Sequence, residues 1–240
     1  MVCRREAGAG VDQLCAKVQH MPDQKDITIN QIENNSEFWQ EGWDKGFTGF
    51  HQSEYNQAMI DYFNDLDLNR KTVLIPLCGK SLDMIYLANK GAKVIGVEVV
   101  KDPVEQFFKE NEIDFNLVDS VYTSKDRKIE VHNKDFFEIN DLGKIDFLYD
   151  RASNVALPVC MREEKYYPTI KRLIQEETKT LLITMDHDGP RDFGPPYAIN
   201  KEETKEHYPL LKLINEASSK AMDRFQEEGI KKVRRYIWAN

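Results

Sequence analysis

Apolar residues in the first third of the chain recur at helical spacing. Trp39, Trp43 and Phe47 stand four apart, which places them on one helix face, and Asn34-Asn35-Ser36-Glu37 ahead of them offers N-cap residues with an acid in the first turn. Such a stripe either packs against the body of the protein or forms an aromatic lid over a ligand. A second helix is predicted over residues 54–66, with Tyr55, Met59, Tyr62 and Phe63 inward. Then the period changes. Residues 72–78 are a nearly continuous apolar run closed by Gly79, the pattern of a strand buried on both faces. Residues 81–90 are helical in spacing and end at Gly91, residues 93–98 form a second buried strand, and Pro103 suits the first turn of a helix running to Asn111.

The alternation continues with strands predicted over 128–132, 144–149 and 180–185 and a helix over 163–176. Strands alternating with helices predict an α/β fold, a doubly wound and mostly parallel sheet with helices on both faces. The ending differs: residues 217–225 and 230–238, separated by Glu227-Glu228-Gly229, suggest an antiparallel C-terminal hairpin. At the other end, Ala7-Gly8-Ala9-Gly10 and Met21-Pro22-Asp23 interrupt any periodicity. Residues 1–32 are therefore expected to be a flexible extension, and 33–240 a single domain.

Composition narrows this further. The 240 residues are 41% hydrophobic and 31% charged, enough apolar material for one packed core. A net charge of −8 argues against nucleic acid as a partner, because that binding needs clustered cations. No apolar run is long enough for a bilayer, and no apolar stretch follows the charged start, so neither a membrane span nor a secretory signal is expected. Cys3, Cys15, Cys78 and Cys160 form no C-x-x-C, which speaks against a metal site or disulfide framework and for a cytoplasmic setting.

In open α/β sheets ligands bind beyond the carboxyl ends of the strands. The first strand is followed by Leu77-Cys78-Gly79-Lys80-Ser81, and the second by Glu98, nineteen positions after Gly79. A carboxylate there can accept hydrogen bonds from both hydroxyls of a ribose. Asp135-Phe136 and Asp150-Arg151 stand at the next two tips. A phosphate-binding loop would need glycine where Leu74 stands, and the dinucleotide fingerprint would need two more glycines. What survives is a ribose-binding acid without a phosphate cradle. S-adenosylmethionine is the commonest cofactor with that requirement.

The chain resembles the thiopurine S-methyltransferase family from Phe38 to Trp238. The similarity rests on Trp39-Gln40-Glu41-Gly42-Trp43, Gly49-Phe50-His51-Gln52, Pro76-Leu77-Cys78-Gly79-Lys80, Gly96-Val97-Glu98, Tyr149-Asp150-Arg151-Ala152, Gly194-Pro195-Pro196-Tyr197 and a late Arg224. The resemblance implies a seven-stranded, Rossmann-like methyltransferase that moves a methyl group from S-adenosylmethionine to small aromatic or heterocyclic thiols, thiopurines among them. It also implies cofactor contacts from Trp39, Trp43, Phe50, Leu77, Gly79, Glu98, Asp135, Phe136 and Arg151, with Asp150 beside them. Phe50, Pro196 and Arg224 would meet the acceptor, with Arg151 and Arg224 near the reacting sulfur as catalytic residues. No metal is implied, and the expected state is a monomer. A methyltransferase acting on selenium or tellurium species, or a silent cofactor-binding domain, shares the same motifs.

The chemistry suits these positions. An aromatic wall attracts a sulfonium at about 0.5–2 kcal/mol per good contact, and an aromatic thiol ionises readily, so no strong general base is required. Other candidates are weaker. Cys78 is expected to be a buried small hydrophobe rather than a nucleophile. Asp186-His187-Asp188 lacks a partner serine or further ligand, and the basic 231–235 segment suits a strand whose charges discourage edge pairing.

Overall fold

The structure, a computed structural model, describes residues 36–240. The extension expected over residues 1–32 lies outside the described residues. Two helices come first, α1 (Ser36–Asp44) and α2 (Gln57–Phe63). Two strand–helix units follow: β1 (Thr72–Ile75) with α3 (Asp83–Asn89), then β2 (Lys93–Val97) with α4 (Lys101–Glu110). A hairpin of β3 (Phe115–Val118) and β4 (Val121–Ser124) precedes β5 (Ile129–His132) and β6 (Phe147–Arg151). The next helix has three parts: α5 (Val159–Met161), a π-helical turn (Arg162–Tyr166) and α6 (Tyr167–Leu173). The chain ends with β7 (Lys179–His187), α7 (Lys201–His207), β8 (Lys212–Lys220), α8 (Asp223–Glu227) and β9 (Lys232–Ala239).

All the strands join one sheet in the order β3-β4-β5-β2-β1-β6-β7-β9-β8. From β5 to β7 the neighbours run parallel, and both outer parts are antiparallel. The α/β doubly wound architecture is as the alternation predicts, but among the described residues the sheet has nine strands rather than seven. The β3–β4 hairpin accounts for the excess. Every residue of β3 is exposed, so no burial pattern marks it in the sequence.

Alternation along the central strands sends side chains into two cores. Val73, Val94, Tyr149 and Leu181 face the layer built from Met59, Phe63, Leu87 and Phe107. Leu74, Ile95, Leu148 and Leu182 face the opposite layer, with Phe136, Tyr166, Ile170 and Leu173.

Four local expectations are corrected. The first helix closes at Asp44, so Phe47 falls beyond it and is 73% exposed instead of completing the stripe. The hairpin strand expected at 217–225 starts at Lys212, and Asp223–Glu227 is helical; β8 is exposed at all nine positions and has no apolar alternation to read. The basic segment enters β9, which lies between β7 and β8 and is not an edge. Cys78 is free and buried, whereas Cys160 is disulfide-bonded, which the absence of a C-x-x-C spacing does not signal.

Candidate active site

β1 ends in a turn that the Pro76-Leu77-Cys78-Gly79 sequence makes tight. Leu77 takes φ 44° and Gly79 φ 51°, both in the left-handed region. The turn aims the Gly79 N–H at the tip of β2, where it donates to Glu98 Oε2 at 2.9 Å; Val100 N donates to Oε1 at 2.8 Å. Glu98 is only 7% exposed. Burial pushes its carboxyl up from the ordinary value, and the backbone donors of Val100, Gly79 and Val99 work in the opposite direction. The carboxylate still has lone-pair capacity for a hydroxyl donor.

Gly79 also makes room for the roof. A Cβ there would lie 3.0 Å from Trp43 Cζ2. Trp39 and Trp43 both meet Phe50 edge-on, at 6.0 and 5.3 Å between centroids. Polar contacts dock this roof on α4: Gln40 donates to Asp102 at 2.8 Å, and Lys80 lies over the Trp43 ring while pairing with Glu110 at 2.7 Å. Cys78, beneath the turn, is packed so closely against β2 that a Cβ on Gly96 would be 2.7 Å from its sulfur. Burial, with Glu98 nearby, pushes its thiol well above the ordinary range, as suits a packed hydrophobe and not a nucleophile.

Arg151 closes the other side. Its Nε donates to Asp83 Oδ2 at 3.1 Å, Nη1 to the Phe50 carbonyl at 2.9 Å and Nη2 to Ser81 Oγ at 3.2 Å. Asp135 caps the short turn that follows β5, accepting from Phe137 N at 2.9 Å, and so sets Phe136 into the core. Between these groups lies a cavity of about 290 Å³.

Trp39, Trp43, Phe50, Leu77, Gly79, Glu98, Asp135, Phe136 and Arg151 all line the cavity; Asp150, Pro196 and Arg224 do not. Strand alternation explains Asp150. It sits on the face of β6 opposite Arg151, fully buried, and accepts from Tyr166 Oη at 2.7 Å. Arg224 donates to the Pro195 carbonyl, with its guanidinium 5.3 Å from the Phe225 ring and 5.8 Å from Phe193. The segment carrying Pro196 still borders the cavity wall, because Tyr197 N donates to the Val155 carbonyl and the next residues, Ala156 and Leu157, are lining residues. Asp186, His187 and Asp188 are used structurally: Asp188 accepts from Lys231 N and Lys232 N, and His187 meets the Phe193 carbonyl. Sequence reasoning assigns no role to Ser81, Asp83 or Tyr149, although Ser81 and Tyr149 stand within the segments it singles out. The signal available was Ser81 and Asp83 opening a helix directly after the Gly79 turn.

A sequence profile of the thiopurine S-methyltransferase family matches residues 34–239. The chain belongs to the thiopurine S-methyltransferase family. It is accordingly an S-adenosylmethionine-dependent methyltransferase. Among its relatives, the thiopurine S-methyltransferase of Psychrobacter cryohalolentis is 34% identical over 198 residues, 78% of this chain and 90% of that protein. That of Pseudomonas fluorescens strain Pf-5 is 38% identical over 178 residues, 71% of this chain and 79% of the relative. Solved structures share the fold at low identity. Burkholderia thailandensis 1,6-didemethyltoxoflavin-N1-methyltransferase, with bound 1,6-didemethyltoxoflavin and S-adenosylhomocysteine, superposes with a TM-score of 0.59 at 11% identity, covering 92% of each chain. Magnesium protoporphyrin IX methyltransferase from Synechocystis, with bound S-adenosylmethionine, gives 0.58 at 12% identity, covering 92% of this chain and 100% of that one.

Proposed function

We propose that this methyltransferase acts on the sulfur of small aromatic or heterocyclic thiols. The observation that carries the reading is the buried Glu98 carboxylate, held by two backbone N–H groups at one end of a cavity roofed by Trp39, Trp43 and Phe50. The residues fit an adenosyl sulfonium: an acid for the ribose, no phosphate cradle, and aromatic rings for a soft cation. When bound, S-adenosylmethionine supplies a methyl carbon that a thiolate sulfur takes in one displacement, leaving S-adenosylhomocysteine and a thioether. Glu98 would hold the ribose, Asp135 and Phe136 the adenine side, and Phe50 the wall shared with the acceptor. The roof would exclude water, and the walls would serve to hold donor and acceptor together, which is where most of the acceleration of a displacement arises. Support for sulfur as acceptor comes from the named activity of the relatives.

The test is incubation of the full chain with methyl-labelled S-adenosylmethionine and a heterocyclic thiol, an aromatic thiol or selenite. Labelled thioether is expected from both thiols. Cofactor binding without transfer to any acceptor would favour a silent domain, transfer to selenium alone would change the acceptor class, and no cofactor binding would remove the role of Glu98.

A further inference from the structure

Residues 45–53 carry Phe50, yet no helix or strand holds them. Among the described residues one hydrogen bond joins this stretch to the sheet, from Arg151 Nη1 to the Phe50 carbonyl. A guanidinium on a half-buried strand end needs a counter-charge and a fixed plane to do this. Asp83 supplies both. It is 1% exposed, accepts from Arg151 Nε and Tyr149 Oη on Oδ2 at 3.1 and 2.9 Å, and accepts from the Asn56 backbone N–H on Oδ1 at 2.8 Å. Asn56 opens α2, so one carboxylate fixes the α2 end of the loop directly and Phe50 within it through Arg151.

We propose that Asp83 is a positioning residue: by holding Arg151 against the Phe50 carbonyl and Asn56 against α3, it latches the aromatic roof to the sheet. Arg151 then serves the site through its fork and not as a free charge for a thiolate. All three of its nitrogens are engaged by protein groups, and its charge is matched by Asp83. The alternative, a guanidinium that stabilises the acceptor thiolate, predicts the opposite response to losing Asp83. An uncompensated Arg151 would lower the pKa of a bound thiol and improve turnover at low pH.

The proposal rests on the methyl-transfer reading only for its ligand readout, so the experiment has two arms. Without ligand, amide hydrogen exchange is followed in the full chain for wild type, Asp83→Asn and Arg151→Lys. Residues 45–53 should exchange tenfold faster or more in both variants, with β1 and β7 unchanged. Trp39 and Trp43 emission should shift while Trp238, 1% exposed, stays constant. With ligand, calorimetry should show S-adenosylhomocysteine affinity falling at least tenfold in both variants, while the acid limb of the pH–rate profile stays in place. Unchanged exchange in Asp83→Asn overturns the latch. So does Arg151→Lys retaining protection and affinity, or an acid limb that moves with protection intact. Should Asp83→Asn fail to fold, Arg151→Lys alone decides, since it keeps the charge and removes the fork. Wild type that binds no S-adenosylhomocysteine would sink the functional reading and leave the exchange arm to judge the latch.

Discussion

Glu98 is a carboxylate that is 7% exposed, accepts from the Gly79 and Val100 backbone N–H groups and lines the cavity, with lone-pair capacity to spare. Replacement by an amide tests whether those lone pairs are used. In Glu98→Gln the new NH2 must face either the Gly79 or the Val100 N–H, and the charge that strengthens hydroxyl donors is lost. A hydrogen bond to a charged group is worth about 1.5–3 kcal/mol, and about 1.4 kcal/mol is tenfold in affinity. S-adenosylhomocysteine should therefore bind tenfold more weakly or worse by calorimetry. Equal affinity in a folded variant would place the ribose elsewhere. The neighbouring residues show how close the packing is here: a Cβ on Gly79 would press on Trp43 at 3.0 Å, and one on Gly96 would overlap the Cys78 sulfur at 2.7 Å.

At the scale of elements, the cavity has a rigid floor and a lightly held roof. The floor is the ends of β1, β2 and β6, whose side chains enter both cores. The roof is α1, which buries no side chain completely and docks through ring edges and the Gln40–Asp102 contact. Removing a ring from each should separate binding from stability. Trp43→Ala should cost about 1 kcal/mol of global stability, the worth of an aromatic edge contact, and markedly weaken cofactor binding. Phe63→Ala, 0% exposed in the core, should cost about 3–5 kcal/mol in denaturant titrations. Comparable losses in both would make α1 part of the core and end its description as a roof. The same contrast explains what could be read from the sequence. β1, β2, β6 and β7 are buried, so apolar runs mark them, and with them the strand-tip positions of Glu98 and Arg151; alternating burial marks β5, and with it Asp135. β3 and β8 are exposed throughout and left no pattern. Asp83 was invisible for a related reason: its importance lies in Arg151, Tyr149 and Asn56, residues 68, 66 and 27 positions away, which only the folded sheet brings together. Neighbours in sequence and resemblance put Asp150 and Arg224 with the site, whereas pleating turns Asp150 to the opposite face, against Tyr166.

For the molecule as a whole, two carboxylates set opposite pH dependences. Glu130 accepts from His132 at 2.6 Å and pairs with Lys93 at 3.0 Å, and these partners lower its carboxyl to about 2. Its contribution is present above the ordinary value of 4.5 and is lost as pH falls towards 2. Asp150 behaves in reverse. Burial raises it from 3.8 to about 6, although hydrogen bonds from Tyr166, Ser153 and Asn154 pull the other way. Between those two values the folded chain binds a proton that the unfolded chain has released, so stability must fall as pH rises through that window and then level off. At about 1.36 kcal/mol per pKa unit the loss from this one group approaches about 3 kcal/mol. Asp150→Asn removes the titration and keeps an oxygen for the Tyr166 hydroxyl. The stability difference between variant and wild type, measured by denaturant titration from pH 4 to pH 7, should move in favour of the variant up to about pH 6 and stay flat above it. A difference constant across the whole range would mean that Asp150 ionises in the folded chain as it does in the unfolded one, and that water reaches the layer beneath β6.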